Sequence, residues 1–332
     1  MTYLFHTFFI TTLACCIERL FGYPHILFRY IKHPVVWIGA IISFFEKKLN
    51  KPEQSQALAY FFGILLIFFL SSLIFIITFL SSIVLNHTLP PFLGDVTLAF
   101  LLSSLIAQRS LWDHVKAVQD ALNLNGLKGG RQAVSMIVGR DPNTLDEAGV
   151  IRASIESLAE NFSDGIVAPI LWALFVGLPG ASTYKTINTA DSMIGHLTPR
   201  YRAFGWASAK LDDLVNIPAS RLSALWIIAA AATLPQTSAQ NALQTVLKDA
   251  RHHRSPNAGW PEAAMAGALG IKLAGPRSYN NILVDDHWIG SGNSFVKISD
   301  LKHALQLYKR ACFLQILTIA SLTLLFAFML WG

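Results

Sequence analysis

Cysteine is scarce: Cys15, Cys16 and Cys312 are the only three in 332 residues. All lie in or beside apolar segments with no CxxC and no Cys/His ligand spacing, which excludes a disulfide framework and argues against a zinc site of cysteine type. Charge is scarcer than a soluble chain needs, at 14% against 53% hydrophobic residues. From Gln54 to Gly94 there is no Asp, Glu, Lys or Arg at all. No concentrated basic face with interleaved aromatics is present, which excludes nucleic acid as a partner. GxxxxGK[ST] is also missing, so GLKGGR (126–131) reads as an ordinary loop and not as a phosphate loop. Neither an internal repeat nor a low-complexity tract is visible. The first residues lack a basic n-region and an A-x-A site, so no cleaved signal peptide is expected.

What is present is a polytopic membrane pattern. Mean hydropathy is +0.46, and 22 Phe accompany the low charge. The sequence predicts an all-α, polytopic integral membrane protein with about four to six membrane-embedded helices and cytoplasmic amphipathic helices. It is expected to form one integral membrane domain over 1–332. Residues 2–21 read as a first membrane helix, and 22–50 as an interfacial segment rich in aromatics and bases that Pro34 should interrupt. A helical hairpin is expected at 57–85 and 92–107, turned at Asn86-His87-Thr88-Leu89-Pro90-Pro91. Its tip has no basic residue while both flanks do. The positive-inside rule therefore places the tip outside and 22–55 and 109–164 in the cytoplasm. Residues 109–138 read as an amphipathic helix broken at Asn125-Gly126. The uncharged stretch 165–184 carries Pro169, Gly177, Pro179 and Gly180, and reads as re-entrant or protein-buried if its two polar flanks are to share one side. The final run, 311–332, is long enough to span.

Against this background the polar runs of 139–216 stand out as a catalytic core, with loops 22–50 and 248–290 contributing. Asp141-Pro142 and the Thr144-x-x-Glu147 capping box predict a helix start, and capping alone accounts for Asp146 and Glu147. Beyond it Arg152, Glu156, Glu160 and Asp164 follow one another at four-residue spacing on one helical face, opposite Ile151, Ile155, Leu158 and Phe162. Glu156 over Glu160 is a like-charge pair that costs a few tenths of a kcal/mol on an isolated helix. A solvated face would tolerate that row; beside a membrane it reads instead as a site for a divalent cation or a cationic group.

In the second run Lys185, Asn188, Thr189, Ser192 and His196 share a face with Asp191 on its flank. Hydroxyls, an amide and an ammonium suit phosphate oxygens, and Asp191 suits a metal. The same residue types also serve as polar glue between membrane helices. Asp212-Asp213 is an adjacent pair of which one carboxylate faces any given ligand. The run RHHRSPNAGWPE (251–262) cradles an anion or forms an interfacial loop.

Several motifs in order, HPVVWIG with Glu46, GRD, RASIESLAENFSDGIVAP, YKTINTADSMIGH, RYRAFGWASAKLDD and SPNAGWPEAAMAGALG, closely resemble the adenosylcobinamide-phosphate synthase (CobD/CbiB) family of cobalamin biosynthesis. The resemblance runs from about Gly22 to Gly290. Lys210 stands where Arg is expected before LDD, keeping the charge without the bidentate fork, and Ser220 separates Pro218-Ala219 from Arg221. The resemblance implies a multi-pass enzyme of the inner (cytoplasmic) membrane with its active site facing the cytoplasm. It implies ATP- and Mg2+-dependent amide ligation of adenosylcobyric acid with (R)-1-amino-2-propanol O-phosphate, for which analogy with other ATP-driven amide ligases predicts an acyl phosphate.

On that footing Glu160, Asp164, Lys185 and His196 are the expected catalytic residues, His196 as candidate base. Glu156, Glu160, Asp191 and Asp212 are the expected metal ligands. Arg140, Arg152, Asn161, Asn188, Ser192, Asn257 and His33 are expected to bind ATP, the corrinoid or the aminopropanol phosphate. Membrane lipid and other membrane enzymes of late cobalamin synthesis are the expected partners. A non-catalytic sensor of the same superfamily is the rival reading, and should have lost these polar runs. A transporter should show inverted repeats, which are not visible.

Overall fold

The computed structural model describes residues 1–139, 141–275, 277–279, 282–284 and 287–331, without the side chains of residues 25, 277–279 and 282–284. Helices dominate. In chain order they are α1 (Thr2–Phe21), α2 (His25–Ile31), α3 (Pro34–Leu49), α4 (Gln56–Thr88), α5 (Pro91–Ser103) and α6 (Gln108–Val134). There follow α7 (Glu147–Phe162), α8 (Ala168–Ile194), α9 (Trp206–Ala231), α10 (Ala239–Asp249), α11 (Gly259–Leu269) and α12 (Ile298–Trp331). Among the described residues seven helices are long and apolar enough to cross a membrane, Ile26–Leu49 included. That segment's charges cluster at its two ends, leaving an apolar middle, so the aromatic and basic flanks that read as interfacial enclose a seventh candidate. The architecture is that of an all-α, multi-pass membrane protein.

Contacts resolve into two compact units. One comprises residues 1–107, 168–216 and 318–332, and the other 108–167 and 217–317. The polar stretch 139–216 is thus divided at 167/168.

In the first unit α4 packs on α8 and α5, α1 on α5 and α8, and α3 on α8. A core of Ile42, Leu66, Leu70, Ile187, Ile194 and Phe204 joins α3, α4 and α8. Elsewhere α4 is apolar all round, with Phe61, Phe68, Phe69 and Ile76 exposed, as a lipid-facing helix requires. The hairpin turns where the sequence predicts, between α4 and Pro91, and Pro34 begins α3 after α2 has ended at Ile31. His33 caps α3, its Nδ1 accepting the Val35 N–H at 3.2 Å.

In the second unit α6 packs on α7, and α11 packs on both α7 and α10. Ile151, Ile155, Leu158 and Phe162 are all fully buried, as their spacing predicts. Phe162 meets Tyr308 edge-on, and the Tyr308 hydroxyl donates to the Gln108 carbonyl at 2.6 Å.

Local expectations are corrected at three places. The helix α7 is capped by Asp146, whose Oδ1 accepts the Gly149 N–H at 2.6 Å, and not by Thr144. Asp141 instead caps the short 3-10 turn Pro142–Thr144, and the Thr144 hydroxyl donates back to the Asp141 carbonyl. The chain therefore enters α7 two residues later than the box implies. GLKGGR is helical within α6, which bends at Gly126 (φ 59°). The bend folds Gly130 onto Leu122 so closely that a Cβ at 130 would overlap that side chain. Lastly, the 248–290 loop holds four short strands, β1 (Leu273–Ala274), β2 (Arg277–Tyr279), β3 (Ile282–Val284) and β4 (Trp288–Ile289), paired antiparallel as β1–β4 and β2–β3. Strands of two or three residues are too short for alternation to show in sequence.

Candidate functional site

In the first unit two helices meet through a polar chain set among apolar residues. Asp212 of α9 is 8% exposed. Its Oδ2 accepts the side-chain amide of Asn216 one turn on, at 2.9 Å, and its Oδ1 accepts that of Asn188 from α8, at 3.3 Å. Asn188 Oδ1 in turn accepts the Lys185 ammonium at 3.3 Å, and Asn216 Oδ1 accepts the Tyr184 hydroxyl at 2.9 Å. The chain thus reads Lys185, Asn188, Asp212, Asn216, Tyr184. Asp191 and Asp213 lie near enough for their charges to act on Asp212. A buried carboxylate hemmed by two others needs donors or a cation; here two amides supply part of that. The hard oxygen donors of Asp191 and Asp212 are the kind Mg2+ takes. The Lys185 charge also reaches the His33 imidazole, which lies beside the Ser104 backbone. Five of the predicted residues, His33, Lys185, Asn188, Asp191 and Asp212, are therefore neighbours.

Two other members of the predicted face differ. The exposed Ser192 donates to the Asn188 carbonyl within its own helix. His196 falls outside the helical face, because α8 ends at Ile194 and the chain turns at Gly195. A Cβ at 195 would overlap the Asp191 carboxylate, so glycine here lets that side chain fold over the helix end.

Nearby in the same unit, Glu46 is buried and pairs with Arg200 at 2.7 Å. Hydrogen bonding to Glu46, and then its charge, raise the Arg200 guanidinium above its ordinary value. Asn50 bridges Glu46 and the Arg200 carbonyl.

In the second unit the acidic row is uneven. Glu156 is 6% exposed and its Oε1 accepts the Ala274 N–H at 2.8 Å. Arg152 donates to the Ser294 carbonyl at 2.7 Å, pairs with Asp146 at 4.0 Å and lies 5.7 Å from the Trp288 ring centre. Both hold the fold together around α7. Glu160 and Asn161 are exposed and Asp164 half-buried, with Asn161 bonded to Ser157. Asp164 lies in the first turn of the π-helical segment Ser163–Val167. Arg140 lies outside the described residues.

Asn257 is buried, its Oδ1 accepting both the Ser220 hydroxyl at 3.1 Å and the Arg221 guanidinium at 2.8 Å. Ser220, which departs from the expected motif, is thus a buried partner of the SPNAG loop. Arg221 also stacks 4.4 Å over the Trp260 ring. The other departure, Lys210, pairs with exposed geometry to Asp213 at 3.5 Å.

Sequence reasoning overlooked Tyr184 and Asn216. The Asp212/Asn216 spacing of one helical turn was a usable signal for the latter; an aromatic among apolar neighbours gave none for the former.

Residues 11–308 match the family described as "CobD/Cbib protein". A "Cobalamin biosynthesis protein CobD" of Sinorhizobium fredii is 48% identical over 97% of this chain and 98% of its own length. Proteins of the same name from Rhizobium meliloti and Rhodobacter capsulatus are each 46% identical, over 95% and 90% of this chain and 96% and 91% of theirs. No solved structure is significantly similar.

Proposed function

Because the chain belongs to the CobD/CbiB family, we propose that it acts in cobalamin biosynthesis as an ATP-dependent, amide-forming ligase of the inner membrane. It would join the free carboxylate of adenosylcobyric acid to the amine of (R)-1-amino-2-propanol O-phosphate, on the cytoplasmic side where ATP is found. The observation that best supports chemistry over a passive role is the buried Lys185–Asn188–Asp212–Asn216–Tyr184 chain. Ionisable groups among apolar helices are expensive to keep, and are retained where they do work.

The reaction needs three things of the protein: carboxylates for a cation, cations for phosphate oxygens and an acceptor for the amine proton. Asp191 and Asp212 would hold Mg2+, which neutralises charge on the transferring phosphoryl group. Lys185, held by Asn188, would bind phosphate oxygen. The substrate carboxylate attacks the γ-phosphorus, ADP leaves, and the amine then displaces phosphate from the acyl carbon as it loses a proton. His33, beside Lys185, joins His196 as a candidate acceptor for that proton. In the second unit Glu160 and Asp164 remain candidates for binding or catalysis, whereas Glu156 and Arg152 have structural partners.

The test is ATP-dependent turnover by purified, detergent-solubilised protein given adenosylcobyric acid, aminopropanol phosphate and Mg2+. Amide product from the wild type, with strong loss in Asp212→Asn, supports the reading. A folded wild type that makes no product with all substrates present overturns it in favour of a non-catalytic relative.

A further inference from the structure

A second group of polar side chains, unused by that reaction, lies in the second unit. Asp249 ends α10, His252 ends the 3-10 turn Ala250–His252 that follows, and His287 immediately precedes β4. Each offers one ligand atom, and the three atoms lie within 4.8 Å of one another. We propose that Asp249, His252 and His287 bind a divalent transition-metal ion, of which Zn2+ is the type.

The arrangement is built, not incidental. Asp249 is buried, and its Oδ2 accepts the Gly290 N–H at 2.8 Å, which fixes the carboxylate and leaves its other oxygen for an ion. Outer hydrogen bonds of this kind orient metal ligands. The same bond ties the end of β4 to the α10 terminus. Gly290 sits at φ 89°, in the region that favours glycine, and a Cβ there would press on the Ile271 carbonyl. Ile289, beside it, is buried and pairs with Leu273. Residues on both sides of the cluster are thus anchored, and they bring two exposed imidazoles 5.0 Å apart at 62° to each other.

The donor set selects the ion. Two imidazoles and one carboxylate suit Zn2+ and its neighbours, whereas Mg2+ prefers oxygen alone. With both histidines at the surface, water can complete the coordination. Arg251 and Arg254 are close in sequence and oppose any cation by charge, so binding here requires direct ligation and not a diffuse acidic surface. The ion would cross-link the α10 terminus to the β1–β4 pair across the intervening 253–286 segment. This proposal does not rest on the ligase reading, and its readout is metal binding.

The experiment uses the full-length chain, purified in detergent with a histidine-free tag, stripped by chelator and held in excess Mg2+ to occupy oxygen-only sites. Co2+ is titrated by its visible absorption and then displaced with Zn2+. One equivalent per chain with nitrogen-ligated spectra is expected. Binding should fall in His252→Ala and in His287→Ala by more than the about 10–100-fold that loss of an outer partner costs. His114→Ala, an exposed histidine elsewhere, should bind like wild type. Zn2+ should also raise the melting temperature of the wild type and not of the double histidine variant. No stoichiometric binding by the wild type, or binding that survives in the double variant, overturns the proposal.

Discussion

The carboxylate of Glu156 accepts the backbone N–H of Ala274 at 2.8 Å, across 118 positions of sequence. Ala274 has φ 57°, a left-handed conformation that costs a residue with a Cβ about 1–2 kcal/mol. The buried Glu156 therefore holds the end of β1 in an unfavourable shape. Glu156→Ala should destabilise the protein by about 1–3 kcal/mol, through the unsatisfied amide and the lost packing. Glu156→Gln retains an acceptor and should melt close to wild type. Ala274→Gly should recover part of the Glu156→Ala loss, because glycine adopts this φ without penalty. Thermal melts of the four proteins in one detergent check all three outcomes.

Asp212 is expected to behave differently. Asp212→Asn preserves shape and keeps one acceptor for its two amide donors, but removes the charge. Activity should fall by at least about a hundredfold, the scale of losing one key electrostatic group. The fold should persist, and the residual activity should need more Mg2+. Asn188→Ala removes one hydrogen-bond partner from Lys185 and one from Asp212 together, so it should reduce activity and raise KM for ATP. Steady-state kinetics over a Mg2+ series distinguishes these expectations; full activity in Asp212→Asn would remove that residue from the chemistry.

Much of this site was legible because helical spacing is local. Lys185, Asn188 and Ser192 fall on one face by arithmetic, and the structure keeps them in one helix. His196 failed the same arithmetic only because the helix stops at Ile194, and Gly195 was the available stop signal. The hairpin, the break at Gly126 and the buried face of α7 were likewise written in Pro, Gly and apolar period. Contacts between distant segments left no such trace. Nothing local in YKTIN says that Tyr184 will meet Asn216, and nothing in the acidic row separates Glu156, which braces Ala274, from the exposed Glu160.

The Glu46–Arg200 pair is one such long-range contact, 154 positions apart. Glu46 is buried and Arg200 about half exposed, so among the described residues removing the arginine leaves the carboxylate with the Asn50 side-chain amide as its donor. Arg200→Ala should lower the melting temperature more than Glu46→Gln does. In the double variant the two losses should be less than additive, since the stranded charge is gone. Equal, additive losses would show that the pair contributes packing alone.

Gly63 of α4 lies where the helix crosses the chain at Phe204, and a Cβ at 63 would overlap the Phe204 carbonyl oxygen. Two effects oppose each other in Gly63→Ala. Helix propensity favours alanine by about 1 kcal/mol. The overlap, however, is with backbone that cannot rotate away, and overpacking typically costs about 1–3 kcal/mol. The clash should win, because Phe204 is fully buried in the core that joins α3, α4 and α8 and has nowhere to move. Gly63→Ala should therefore lower the melting temperature, while Gly139→Ala, where a Cβ meets nothing within 4 Å, should leave it unchanged. A Gly63→Ala protein more stable than wild type would mean that α4 can slide on Phe204, and that the close approach is not what fixes the helix.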